Sequence, residues 1–192
     1  MEVPTTEHMK AAKRILRYLK STIDFGLFYS SSKEFQFVGY FDSDFAGDID
    51  DQKSRIGFVI FMGSNIISWS SKKQTIVSLS SCEDEYVTMI TCACHAIWLR
   101  IMLKEIGLLE NEVTTIFVDN KSAQALAKNH VFYDRSKHID TRYHFIRESI
   151  TKKDIRLQYV KYVDQVLDIF TKPLEVVFFN RIRSMLGITK KN

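Results

Sequence analysis

Apolar residues recur along this chain with two different periods. Over residues 5–20, Ala12, Ile15, Leu16 and Leu19 fall on one helical stripe, while Lys10, Lys13, Arg14, Arg17 and Lys20 fill much of the rest. That pattern predicts a basic amphipathic helix, with Thr5 or Thr6 as its cap. Gly26-Leu27-Phe28-Tyr29 reads as a short strand and residues 30–33 as a turn. Strand-like runs then follow closely at 35–42, 56–62 and 65–70, the last two separated by Gly63-Ser64 at hairpin spacing. Residues 80–107 form a long predicted helix ended by Gly107. A strand at 114–119, helices at 121–128 and 136–151 and a strand at 155–161 come next. Helix resumes over 164–186, with a break near Pro173, because the residue before a proline (Lys172) is biased away from helical backbone. An antiparallel meander followed by strands reached through helical crossovers implies an α/β fold with a mixed sheet. The order of strands within the sheet is not contained in this pattern.

At 192 residues the chain is one domain, or one domain with an appendage. With 45% hydrophobic and 26% charged residues it can bury a sizeable core, and 2 Pro and 7 Gly leave no long linker. A net charge of +4 permits nucleic-acid binding without demanding it. The 3 cysteines, Cys82, Cys92 and Cys94, argue against a disulfide framework and for a reducing compartment. Cys92-Ala93-Cys94-His95 is not read as a zinc site, because residues two apart on a helix point in different directions. No stretch of about 18 apolar residues is visible, so no membrane span is expected. Residues 1–8 lack the apolar core of a signal peptide.

Four acids occupy settings that a two-metal nuclease requires. Asp42 ends the run Phe35–Phe41, and Asp119 ends the run Thr115–Val118. Glu85 opens the long helix, and Asp168 lies in the late amphipathic segment. Carboxylates at strand ends gather at one sheet edge, and hard oxygen ligands suit Mg²⁺. Two such ions about 3.5–4 Å apart activate water and stabilise the leaving oxygen of a phosphodiester. Asp44 competes with Asp42, being two residues on and on the same strand face; Glu83 competes with Glu85 but suits a first-turn, dipole-facing role. His138 and His144, six apart, do not form a metal pair on a helix.

Six words, in order, resemble the ribonuclease H domain of copia-type LTR retrotransposons. They are Tyr40-Phe41-Asp42-Ser43-Asp44-Phe45-Ala46-Gly47-Asp48, Ile67-Ser68-Trp69-Ser70-Ser71-Lys72-Lys73-Gln74, Leu79-Ser80-Ser81-Cys82-Glu83-Asp84-Glu85-Tyr86, Val118-Asp119-Asn120, the stretch 136–148, and the stretch 164–174. Residues 8–29 resemble the segment that joins a reverse transcriptase to that domain. The resemblance implies a ribonuclease H-like fold, a five-stranded mixed sheet with helices on both faces. It divides the chain into a connection segment, 1–33, and a ribonuclease H-like domain, 34–192. It implies cleavage of the RNA strand of an RNA–DNA hybrid, with Asp42, Glu85, Asp119 and Asp168 holding two Mg²⁺ ions, Mn²⁺ being an alternative. The products would carry a 3′-hydroxyl and a 5′-phosphate. The implied partners are the hybrid and an upstream reverse transcriptase, with no membrane. The setting would be an intracellular one, a cytoplasmic particle or the nucleus. Lys72, Lys73 and Gln74 before the glutamate helix, and Asn120 and Ser122 at the start of the next, are the candidate substrate contacts. Hybrid recognition would rest on groove shape and the RNA 2′-hydroxyl.

Some positions depart from the family. Leu167 stands where a small residue is usual, His95 replaces an acid and Tyr133 a histidine, and 159–164 offer no histidine before the last helix. A larger side chain at 167 is expected to press on the helix–sheet contact. These departures keep open an inactive nucleic-acid-binding remnant. Arg14-Ile15-Leu16-Arg17 also fits the Arg-x-Leu-Arg string of secreted host-targeted effectors, a second alternative that would act by protein binding inside a host cell.

Overall fold

A computed structural model describes residues 3–31, 36–75, 77–108, 113–128, 137–161 and 164–190, with the backbone alone at 126, 128 and 137–143. The expected turn at 32–33, Tyr133, Ser136, Tyr162 and Val163 lie outside the described residues. The elements run α1 (Thr6–Ser21), β1 (Phe25–Leu27), β2 (Phe37–Asp44), β3 (Arg55–Met62), β4 (Asn65–Lys73), α2 (Ser81–Glu105), β5 (Thr114–Val118), α3 (Lys121–Lys128), α4 (Lys137–Thr151), β6 (Ile155–Tyr159), α5 (Asp168–Thr171), α6 (Val176–Met185) and β7 (Ile188–Lys190).

The main sheet has five strands in the order β4-β3-β2-β5-β6. β2, β3 and β4 form the antiparallel meander; β5 pairs parallel with β2, and β6 parallel with β5. This is the ribonuclease H-like arrangement that the motifs imply. Strand alternation divides the core between the two sheet faces. Phe37, Phe41, Phe58, Ile60, Ile116 and Val118 pack with Tyr86, Met89, Ala93 and Ile146 of α2 and α4. Val59, Phe61 and Ile66 pack on the other face with Val166, Leu167, Ile182 and Leu186. Because β3 is covered on both faces, it reads as an unbroken apolar run rather than an alternating one.

Local chemistry sets the helix ends. Thr5 caps α1 with His8 closing the capping box, and Ser80 caps α2 by accepting from the Glu83 N–H at 3.2 Å. Beyond α2, Gly107 adopts φ +72, the left-handed position that glycine tolerates. α2 is, by length and composition, apolar enough to cross a bilayer, contrary to the expectation of no such stretch. In the fold it is a core helix, with Tyr86, Met89, Cys92, Ala93 and Ala96 fully buried. Cys92 points into that core while Cys94 is exposed.

Two further differences matter. The 164–186 segment breaks at Pro173 as expected, the chain being extended at Lys172 (ψ 150), but α-helix begins only at Asp168, because the residues before it fold inward. The short strand β7 escaped the pattern reading altogether: its three residues pair antiparallel with β1, Phe25 opposite Lys190. Three residues cannot display a periodicity.

Candidate active site

Asp42 lies near the end of β2, opposite Gly57 of β3, and is 4% exposed. β2 and β5 run parallel with Tyr40 beside Phe117, so Asp42 and Asp119, each two residues further along, leave the sheet at the same end. Glu85 reaches this end from the first turns of α2, and Asp168 opens α5 above it. The four acids therefore come from β2, α2, the end of β5 and α5.

What brings α5 so close is the absence of a side chain at Gly57. A Cβ there would stand 3.1 Å from Phe170 Cβ, 3.1 Å from Thr171 Cγ2 and 3.2 Å from Leu167 Cδ1. Leu167, 0% exposed, fills this slot as part of the core, so the larger residue at that position has a place prepared for it. Thr171 Oγ1 donates to Asp42 Oδ2, joining α5 to β2. Gln165 is 1% exposed and donates to the Phe41 carbonyl at 3.0 Å. Its side chain also bonds to Asp119.

Lys172 is the cation of the site. Its Nζ lies 2.8 Å from Asp168 Oδ1 and 3.1–3.2 Å from the two oxygens of Asp42. On the opposite side, Asn120 Nδ2 donates to Glu85 Oε1 at 3.0 Å. Two carboxylate oxygens of the four acids, Asp168 Oδ2 and Glu85 Oε2, are buried with no hydrogen-bond partner among the described residues. Orphaned buried carboxylate oxygens are expensive, and a hard cation satisfies them. Among the described residues no group of three Asp, Glu, His or Cys side chains is gathered closely enough to hold a metal ion as the side chains stand. Lys172 instead bridges Asp42 and Asp168, while Asn120 holds Glu85 and Gln165 holds Asp119.

Burial pushes Asp42 up to about 6, with Asp168 adding to the shift and Lys172 and Thr171 opposing it. Burial likewise raises Glu85 to about 7, helped by Asp119 and Asp42 and opposed by Asn120. Asp119 is raised by burial against the bond from Gln165. Desolvation alone would lower the Lys172 ammonium; the Asp42 and Asp168 carboxylates outweigh it and raise its pKa. The acids thus sense one another through a common low-dielectric site.

The competing acids are differently engaged. Glu83 Oε2 accepts from the Leu79 N–H at 2.8 Å, a helix-entry role. Asp44 folds over Gly47, where an added Cβ would meet Asp44 Oδ2 at 2.0 Å. Of the residues expected to face substrate, Lys72 and Ser122 are exposed. Lys73 is tied to Asp48 and Asp51 at 2.7 and 2.9 Å. Asn120, besides holding Glu85, caps α3 by accepting from Ser122 N at 2.8 Å. Gln74 is turned inward at 5% exposure, because its carbonyl accepts from Ser78 Oγ at 3.2 Å. Ser78 also bonds to the fully buried Asp84 at 3.0 Å, a polar cluster that the sequence pattern did not expose. Gln165, Thr171 and Lys172 all lie in the 164–174 motif, which gives them no role of their own; Lys172 stands out there only as the residue before Pro173.

No family model matches this chain. It is 40% identical over 190 residues, 99% of its length, to the retrovirus-related Pol polyprotein from transposon RE1 of Arabidopsis thaliana. The chain belongs to the Pol polyproteins of copia-type retrotransposons. It spans only 13% of that relative's length, and so corresponds to one segment of a Pol polyprotein. Half of it (51%) is also 41% identical, over 98 residues and 69% of that protein, to secreted RxLR effector protein 161 of Plasmopara viticola. Among solved structures it is similar to the foamy viral protease-reverse transcriptase in complex with dsDNA. That likeness has a TM-score of 0.53 at 16% identity, covers 83% of this chain and 30% of the other, and is one of fold. Its fold is ribonuclease H-like.

Proposed function

We propose that this Pol segment is a divalent-metal-dependent ribonuclease H that hydrolyses the RNA strand of an RNA–DNA hybrid. The observation that supports it is that Asp42, Glu85, Asp119 and Asp168 all lie toward one end of the sheet, with Asp168 Oδ2 and Glu85 Oε2 buried and, among the described residues, without a hydrogen-bond partner. The donor set is all oxygen, which fits two Mg²⁺ or Mn²⁺ ions, with the four acids as ligands. When bound, such ions would supply activation of water and neutralisation of phosphate charge. The protein's own residues do the positioning. Thr171 and Gln165 fix Asp42 and Asp119 relative to β2, and Asn120 orients Glu85. Exposed Lys72 and Ser122 flank this end and would meet phosphates, with Lys73 able to do so on leaving Asp48. Gln74 serves packing instead.

Residues 1–33 would be the connection to an upstream reverse transcriptase, secured to the nuclease body where β1 pairs with β7 and Phe28 N donates to Gly187 O at 3.0 Å. The setting would be intracellular, in a particle or the nucleus. The test is cleavage of a labelled hybrid in Mg²⁺ or Mn²⁺, with single-stranded RNA and duplex DNA as controls. Absence of hybrid cleavage with both ions would refute the enzyme reading. Retained hybrid affinity without cleavage would then identify a binding remnant. The similarity to an RxLR effector favours one second reading, protein binding in a host cell. Arg14-Ile15-Leu16-Arg17 is exposed on α1, and secretion of the native chain would decide for that reading.

A further inference from the structure

The Lys172 ammonium sits among the acids where a cation is called for. It touches Asp168 at 2.8 Å and both oxygens of Asp42 at 3.1–3.2 Å, while its side chain remains 30% exposed. It reaches them from α5 and the turn that follows, four residues after Asp168, so its position is set by the same element that delivers a ligand. We propose that Lys172 is the resident counter-ion of the metal-free site, occupying the space between Asp42 and Asp168 that a divalent ion would take, so that loading metal requires its ammonium to swing out.

Three features of the structure support this. Asp42 and Asp168 are 4% and 0% exposed, and two carboxylates so buried need a compensating charge. The Lys172 head group lies at hydrogen-bond distance from both, which a divalent ion could not share without like-charge repulsion. The partial exposure of the lysine gives its ammonium a path to water on a flexible four-carbon stem. Asp42 would stay restrained by Thr171 once the lysine leaves. The ejected ammonium would stand beside the site, where a scissile phosphate would meet it. This inference rests on the metal-dependent nuclease reading above and adds a competitor to it.

The test compares wild type with Lys172→Met, which keeps the stem and removes the charge. Mg²⁺ alone is titrated calorimetrically into each protein, and thermal melts are recorded in chelator and in saturating Mg²⁺. Removing a resident competitor should tighten Mg²⁺ binding by about tenfold or more. The melting temperature in chelator should fall and be restored by Mg²⁺. A wild type that binds Mg²⁺ with Lys172→Met binding equally or more weakly would overturn this inference and leave the nuclease reading standing. A wild type and variant that both fail to bind, with no hybrid cleavage, would sink the nuclease reading and this inference with it. Binding by the variant alone would support the competitor role. Where the variant does not fold, the wild type still decides. Amine labelling of Lys172, read by mass spectrometry, should rise several-fold when Mg²⁺ replaces chelator. Unchanged labelling in a protein shown to bind Mg²⁺ would refute the displacement.

Discussion

Gly57→Ala tests the geometric basis of the site without touching an acid. The new Cβ would meet Phe170 Cβ and Thr171 Cγ2 at 3.1 Å and Leu167 Cδ1 at 3.2 Å. Carbon atoms rest about 3.5–4.0 Å apart, so α5 must lift by a few tenths of an ångström. Overpacking of this kind costs about 1–3 kcal/mol. Loss of glycine's freedom in the unfolded chain returns about 0.4–1 kcal/mol. The net expectation is a destabilisation of about 1–2 kcal/mol, readable as a lower urea midpoint at unchanged m. The functional effect should be larger in kind. α5 carries Asp168 and Thr171 and precedes Lys172, so its lifting separates Asp168 from Asp42. Misplacement by about 1 Å is worth about 10²-fold in rate, so a fraction of that should lose roughly tenfold in kcat. Gly26→Ala is the control, since nothing among the described residues lies within 4 Å of a Cβ there. A Gly57→Ala protein with wild-type midpoint and wild-type cleavage would show that α5 is not held against β3, and the account of how Asp168 is placed would fail.

Asp119→Asn removes a ligand charge at nearly constant volume; hybrid cleavage should drop by about 10² or more, while thermal melts in chelator show stability kept or slightly raised by relieved repulsion. Leu167→Ala empties a fully buried slot and should cost about 2–5 kcal/mol by chemical denaturation; a gain in activity would contradict the fitted place that Gly57 gives this side chain. Burial raises Glu85 from 4.5 to about 7 and Asp42 from 3.8 to about 6, so across that window the folded protein holds protons that the unfolded chain has released. Their contribution to metal-free stability is therefore lost as pH rises through about 6 to 7, whereas Mg²⁺ needs both groups ionised. Melts should show a Mg²⁺-induced shift that grows between about pH 5.5 and about pH 8, and a shift independent of pH would refute the coupling.

Much of this protein was decided by its sequence alone. The apolar strand-like runs 35–42 and 56–62, the glycine-marked end of α2 and the order of elements predicted a meander followed by crossovers, and the motif words carried the family. These features are local: a strand's period of two, a helix cap or a strand-end aspartate is a property of a few neighbouring residues. The tertiary structure decided what depends on residues far apart in the chain. The parallel pairing of β2 with β5 puts Asp42 and Asp119 at the same sheet end, although 77 positions separate their numbers (119 less 42). Gly57 looked like an ordinary strand residue, and only the packing of α5 upon it shows why a side chain is excluded. Gln74 is polar and sits beside two lysines, yet it turns inward because Ser78 and Asp84 gather beneath it. β7 was invisible because three residues have no period, and it exists because β1 offers an unpaired edge. In the sequence Lys172 is marked only by its place before Pro173 in the 164–174 motif; its part in the site arises because α5 folds back over Asp42, where burial makes an ammonium the nearest compensation for two carboxylates.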